Sequence, residues 1–175
     1  MQMRRSGSGR RKWYTKNMFE NIKEDLARIG EPTLTSALKW YFVPRGECFP
    51  YNVWLRALQW CRRHCRPLAW LVYPIYRHYE FKYGIHANAN SEIGGGLRVV
   101  HGPCNLNAAR IGKNFTVYSG VTIGVHRGGI PSIGDDVSIF PNAVVCGAIS
   151  IGDGAVIGAL SYVSHDVPEG EKIHA

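Results

Sequence analysis

The sequence predicts an α+β chain in which a helical N-terminal region leads into a β-solenoid built from stacked six-residue units. Three observations predict it. Aliphatic residues recur at every sixth position from residue 93 onward. Glycine gathers in the same half: residues 1–83 hold 4 glycines and residues 84–175 hold the other 16. Charge divides there too. Residues 1–84 carry 16 Lys and Arg against 6 Asp and Glu, a net of +10, whereas residues 85–175 carry 5 against 7, a net of −2. Basicity is therefore a property of the helical region, which suits anionic partners, and not of the chain as a whole. With 45% hydrophobic and 19% charged residues, the 175-residue chain has the apolar content for a core, which a disordered chain lacks.

Residues 1–16 (MQMRRSGSGRRKWYTK) read as a disordered basic arm. No folded readout element accompanies it, so nucleic acid is not expected as a partner. Residues 17–83 read as helices. Asn17 with Glu20 resembles a capping box, and Gly30 reads as a stop. A second helix is expected from Thr33 to Val43, ended by Pro44, and a third from Pro50 with an apolar face of Val53, Leu55, Leu58, Trp60 and Cys61. Pro67 breaks the third and opens a fourth, PLAWLVYPIYRHYEFKYG. The aromatic residues Trp54, Trp60, Trp70, Tyr73, Tyr76 and Tyr79 are expected in the core or at a subunit interface. A peripheral membrane contact is the alternative for this basic, aromatic region.

From residue 93 the six-residue series is Ile93, Val99, Asn105, Ile111, Val117 and Ile123, then, after a four-residue excess, Ile133, Ile139, Val145, Ile151, Ile157 and Val163. Asn105 alone is not Ile or Val. Each unit is a short strand and a corner. One coil cannot bury its own inner face, so coils must stack. Three units make a triangular coil, and about four coils are expected over residues 84–168. Glycine follows the aliphatic residue at 94, 112, 124, 134, 152 and 158, where it is expected to permit a positive-φ corner. Residues 169–175 are expected to form a short tail.

The stretches YGIHANANSEIGGGLRVVHG (83–102), SGVTIG (119–124) and PSIGDDVSIFPNAVVCGAISIGDGAVIGALSYVSHDVP (131–168) resemble the hexapeptide-repeat acyltransferases. Within them the chain is most similar to the serine acetyltransferase group, including its short relatives in polysaccharide gene clusters. The resemblance implies a left-handed parallel β-helix, a homotrimer, and acetyl transfer from acetyl-CoA to a hydroxyl without a metal; whether the helices pair trimers into a hexamer is left open by the sequence. It implies His101 as the catalytic base. A hydroxyl is a poor nucleophile at neutral pH, and a positioned neutral imidazole that takes its proton is worth about 10²–10⁴ in rate. It implies that the small residues Gly124, Ala148, Gly158 and Ala159 line the path of the pantetheine arm. His126 and Arg127, in the loop that interrupts the repeat, and His86 are expected to meet the acceptor; His126 is also the alternative base, since the galactoside and xenobiotic acetyltransferases of the same fold carry their catalytic His in such a loop.

The chain departs from that group in spacing, with two residues extra between His86 and Ile93 and two missing between His101 and Ile111, and in three further places. Serine-specific members have Asp two residues before the position of His86, and here it is Gly84. They have Arg-His directly before the position of Pro131, and here these are Gly129 and Ile130. After Gly170 they continue into a Gly-x-Pro-Ala segment and a cofactor-covering tail, whereas this sequence ends at Ala175, so a shortened cover is expected. Three functions follow: serine O-acetyltransferase, sugar or polysaccharide O-acetyltransferase, and an inactive trimeric scaffold. A zinc hydrolyase on the same solenoid would need a His pair five apart, which is absent. Cys61, His64 and Cys65 share a helix face, but three ligands without a fourth read as packing. Five scattered cysteines read as reduced thiols in a cytoplasmic protein. No apolar run approaches the roughly 18 residues of a membrane span, and no apolar segment follows the basic start, so no secretory leader is expected.

Overall fold

A computed structural model describes residues 18–30, 32–42 and 48–174. The basic arm, Asn17, Val43 and Pro44 lie outside the described residues. Four helices come first: α1 Met18–Ala27, α2 Leu34–Phe42, α3 Phe49–His64 and α4 Arg66–Tyr83. Thr33 caps α2, accepting from the Ser36 N–H at 3.2 Å. Pro50 and Pro67 lie in the first turns of α3 and α4, where the missing N–H has no helical partner to lose. α4 ends at Gly84, which holds φ +66° in the left-handed region.

The solenoid follows as β1 Ile85–Ala87, β2 Glu92–Ile93, β3 Arg98–Val99, β4 Cys104–Leu106, β5 Arg110–Ile111, β6 Thr116–Val117, β7 Thr122–Gly124, β8 Ser132–Ile133, β9 Ser138–Ile139, β10 Val144–Cys146, β11 Ser150–Ile151, β12 Val156–Ile157, β13 Tyr162–Val163 and β14 Lys172–Ile173. They form three parallel sheets, β1-β4-β7-β10-β13, β2-β5-β8-β11 and β3-β6-β9-β12-β14. This is nearly five turns, against about four expected. β1 comes before the aliphatic series and β14 after it, so counting from Ile93 undercounts both ends.

The core is the stack of inward residues. Ile93, Ile111, Ile133 and Ile151 form one column, in register strand by strand. Val99, Val117, Ile139 and Ile157 form a second. Leu106, Ile123, Val145 and Val163 form the third. All twelve are buried, and each is worth about 1.5–3 kcal/mol relative to exposure.

Two expectations are corrected here. Asn105 is exposed and does not occupy an inward position; Leu106, at 0% exposure, does. The step from Val99 to the next inward residue is therefore seven, and the step on to Ile111 is five. The extra residue is absorbed at the corner of Gly102 and Pro103, which packs beneath the end of α4.

The glycines after the aliphatic positions do not supply positive φ. Gly94, Gly112, Gly134 and Gly152 lie one above another, and a Cβ on Gly94 would come within 2.7 Å of the Gly112 backbone. They are required for close backbone approach. Positive φ falls two residues later along that corner, at Gly96, Asn114, Asp136, Gly154 and Gly170. Asn and Asp tolerate that region, which is why glycine is not needed at every coil.

The helices are fastened to the first coil by a buried ion pair. Arg56 of α3 donates to both carboxylate oxygens of Asp25 in α1, at 3.0 and 2.9 Å. It also donates to the carbonyls of Ile93 at 2.7 Å and Gly94 at 2.6 Å. Asp25 in turn accepts from the Leu97 N–H at 2.8 Å. Burial pushes the Asp25 carboxyl above its ordinary value, against the opposing pull of Arg56. The expected aromatic stripe divides. Tyr76 is buried, Trp54 stacks on Tyr79 at 6.4 Å, and Trp70 is 79% exposed.

Candidate functional site

His101 lies two residues beyond the inward Val99, at the corner where the third sheet turns into the first. It is exposed, and its imidazole has no hydrogen-bond or ion-pair partner among the described residues. Equivalent corner positions in the later coils are Ser119, Pro141 and Ala159, set by the register of Val99, Val117, Ile139 and Ile157. His101 and Ala159 therefore belong to one edge of the solenoid, with Gly158 beside it.

His86 projects from β1 at the start of the first sheet, flanked by the inward Ile85 and Ala87. Its ring Nδ1 is 3.3 Å from Oε1 of Glu80 in α4. Glu80 is 5% exposed and also pairs with Arg77 through Oε2. Tyr76 donates its hydroxyl to the Ala87 carbonyl at 3.1 Å and reaches Glu80 Oε1 at 3.5 Å. Burial raises the Tyr76 hydroxyl to about 12, so it remains a donor across the accessible pH range. Above His86 in register stand Asn105 and Thr122, both exposed. Successive strands are about 4.8 Å apart, so the three side chains form a polar row.

Gly84 has a structural reason. It carries the left-handed end of α4, and a Cβ there would lie 2.9 Å from Cβ of Pro103. A side chain at this position would press on the His101 corner.

The four-residue excess after β7 is a hairpin. His126 and Gly129 exchange both backbone hydrogen bonds, at 3.1 and 3.0 Å, and the two residues between them have positive φ, Arg127 at +49° and Gly128 at +79°. That is the turn that matches strand twist in two-residue hairpins. His126 and Arg127 are exposed at its tip. The hairpin folds back over the next coil, where Gly129 packs on Ala148. The Tyr162 hydroxyl is raised chiefly by its hydrogen bond with Cys146, while the nearby Arg127 guanidinium pulls it the other way. Gly124, where a Cβ would meet nothing within 4 Å, and the exposed Ala148 lie on this edge.

The predicted site residues are thus divided between the two edges that flank the first sheet. His101, Gly158 and Ala159 lie on one. Gly124, His126, Arg127 and Ala148 lie on the other. His86 stands on the face between them. Exposed apolar side chains accompany both edges: Phe140 and Leu160 on the first, Val125 and Ile130 on the second. An open groove of about 510 Å³ lies elsewhere, lined by Leu58, Arg62, Arg66, Ala69, Trp70, Tyr73 and Asn90, and contains none of the predicted site residues. Glu80 was missed by the sequence reading. Its signal was a lone acidic residue on an aromatic helix, one turn before the glycine stop. Among the described residues no cluster of three or more His, Cys, Asp or Glu is arranged to hold a metal, and no helix is long and apolar enough to cross a membrane. All five cysteines are free thiols.

This geometry, stacked hexad corners carrying an exposed imidazole, defines the class of hexapeptide-repeat transferases. Residues 131–165 match the family model described as bacterial transferase hexapeptide (six repeats). The serine acetyltransferase of Bacillus pumilus is 36% identical over 159 residues, covering 86% of this chain and 71% of that protein. The serine acetyltransferase of Bacillus licheniformis is 41% identical over 96 residues, 51% of this chain and 44% of that protein. The crystal structure of Neisseria gonorrhoeae serine acetyltransferase in complex with serine superposes with a TM-score of 0.74 at 27% identity, over 90% of this chain and 66% of that one. The chain belongs to the serine acetyltransferase family. Its aligned part spans under half the length of several of these curated relatives.

Proposed function

We propose that the protein is an acetyl-CoA-dependent O-acetyltransferase of the serine acetyltransferase type, with His101 as general base. The observation that carries this reading is an exposed imidazole, free of partners, on the solenoid edge that also carries Gly158 and Ala159. In the proposed reaction His101 takes the proton of the acceptor hydroxyl as its oxygen attacks the thioester carbonyl. The tetrahedral adduct collapses, the C–S bond breaks, and the imidazolium returns the proton to the departing CoA thiolate. The donor is already activated, so the chain's contribution is positioning and the base. Gly124, Ala148, Gly158 and Ala159 would accommodate the pantetheine arm, and His126, Arg127 and His86 the acceptor.

The division of these residues between two edges supports a homotrimer. The edge of one protomer bearing His126 would face the edge of its neighbour bearing His101, covering Val125, Ile130, Phe140 and Leu160. Pairing of trimers through the helices would give a hexamer. Five free thiols suit the cytoplasm.

A specific observation favours a sugar hydroxyl as the alternative acceptor. Gly84 and Gly129-Ile130 stand where serine-specific members carry Asp and Arg-His, and the outward row His86, Asn105 and Thr122 holds no fixed charge for a carboxylate. The test is release of CoA thiol from acetyl-CoA with L-serine and a panel of sugars in parallel. We expect release with one class, and a loss in kcat of about 10²–10⁴ for His101→Ala with the assembly intact by light scattering. Wild-type turnover in that variant would remove His101 from the role. No release with any acceptor, together with no binding of CoA, would leave the scaffold reading.

A further inference from the structure

We propose that Glu80 is a positioning residue, holding His86 in the tautomer that turns a lone pair on Nε2 outward to a hydrogen-bond donor of the acceptor. This rests on the acetyltransferase reading and assigns a part of the same site.

A carboxylate accepts hydrogen bonds and does not donate them. Glu80 is buried, with Arg77 on Oε2 and His86 Nδ1 directed at Oε1. In a neutral His86 the ring nitrogen facing this carboxylate, at 3.3 Å, therefore carries the hydrogen. The other nitrogen then bears the lone pair. The His86 side chain is 54% exposed while that of Glu80 is 6% exposed, so the pair has a fixed inner end and an open outer end. Glu80 is anchored by α4, and Tyr76 ties the same turn of that helix to the Ala87 carbonyl, one residue beyond His86.

His86 stands in register with Asn105 and Thr122 on the first sheet, between the two edges that carry His101 and His126. An acceptor lying across this face would offer Nε2 a donor other than the hydroxyl that reacts. In serine this is the ammonium group. In a sugar it is a neighbouring hydroxyl. The position equivalent to the family's Asp is closed by the Gly84 turn. The carboxylate in this chain instead rises from one turn earlier in α4 and addresses a different imidazole.

The experiment uses the full chain with ¹⁵N-labelled histidine. Long-range ¹H–¹⁵N spectra at neutral pH report which ring nitrogen of His86 is protonated, and His86→Ala assigns the signal. We expect protonation at Nδ1 in the wild type and a shift toward Nε2 protonation in Glu80→Gln. In steady-state acetyl transfer we expect Glu80→Gln and His86→Ala each to raise the acceptor KM about tenfold, the worth of one hydrogen bond. The acetyl-CoA KM should be unchanged and kcat within about threefold. His86 is exposed, so His86→Ala tests the acceptor role even where Glu80→Gln does not fold. A wild-type His86 protonated at Nε2, or a His86→Ala variant with an unchanged acceptor KM, overturns the proposal while leaving the function standing. Activity with no acceptor of either class overturns the function, and the acceptor role of His86 with it.

Discussion

Replacing Arg56 by methionine tests the joint between the helices and the solenoid. One guanidinium supplies two bonds to Asp25 and one each to the carbonyls of Ile93 and Gly94. Both side chains of the pair are buried, at 1% and 0% exposure. The substitution fills much of the volume but leaves a buried carboxylate without its cation and two carbonyls without donors. Removing one partner of such a pair costs about 3–5 kcal/mol, a large share of the roughly 5–15 kcal/mol of an ordinary domain. The assay is urea denaturation at fixed protein concentration, because any assembly makes stability depend on concentration. Asp25→Asn and the double variant complete a cycle, and we expect the double variant to lose at least about 1 kcal/mol less than the sum of the singles. The deficit of Arg56→Met should also shrink as pH falls. With its carboxyl raised, Asp25 takes up a proton in the folded chain before the unfolded chain does, so acid favours the folded side. A loss below about 1 kcal/mol, or simple additivity, would mean that the pair is not the fastening it is drawn to be.

Three further outcomes test other parts of the reading. Leu106→Ala should cost about 2–5 kcal/mol and Asn105→Val within about 0.5 kcal/mol; thermal melts giving the reverse order would restore the uninterrupted hexad register. Gly84→Asp, which restores the family's carboxylate, should lose about 1–2 kcal/mol through its left-handed backbone and gain no kcat; an increased turnover would show that the His101 corner can accept it. Stability should also fall in alkali. Burial raises Cys104 from 9.0 to about 12 and Tyr76 from 10.0 to about 12, so both stay protonated when folded and ionise when unfolded. Their contribution is complete below pH 9 and is lost as pH rises towards 12, by a loss for Cys104 on the order of 4 kcal/mol. Urea midpoints of wild type and Cys104→Ala between pH 8 and 11 should converge as pH rises, and parallel curves would contradict this.

The solenoid was legible because its physics is periodic. An inward Ile or Val must recur wherever a coil stacks on the next, and the series from Ile111 to Val163 is the column register itself. What periodicity could not carry was the first coil. There the chain also meets the end of α4, and the Gly102–Pro103 corner shifts Leu106 into the place that counting assigns to Asn105. The glycines misled for a related reason. A glycine at a corner answers either a positive φ or a close approach, and only the folded backbone separates Gly96 from Gly94. The ion pair of Asp25 and Arg56 joins residues 31 apart in sequence with nothing repeated between them, so no pattern announces it. Glu80 and His86 are six apart, but they lie on either side of a helix end, where neither helical nor strand spacing relates them.

The departures at Gly84 and at Gly129-Ile130 fall where the repeat is interrupted, and the architecture explains why. In a stacked solenoid each coil contacts its neighbours alone, so a change that respects the inward column is tolerated locally. Gly84 lies at the junction with α4, and Gly129 and Ile130 lie in the hairpin outside the columns. Neither place contributes an inward residue, so both can vary without disturbing Ile93 to Ile151 or Val99 to Ile157. Of the hydrogen-bonding groups that remain, Glu80 lies on α4 and His126 on a two-residue turn, outside the repeat, while His86 projects outward from β1. On the proposed reading, acceptor choice would then depend on the helix junction and the hairpin, both of which lie outside the inward columns. Exchanging the exposed His126 and Arg127 while keeping Gly128 and the close-packed Gly129 should therefore alter acceptor preference and leave the thermal midpoint within a few degrees of the wild type, since surface changes cost about 0.5 kcal/mol or less. A hairpin exchange that unfolds the chain would show that the loop supports the columns, and the separation of site from scaffold would fail.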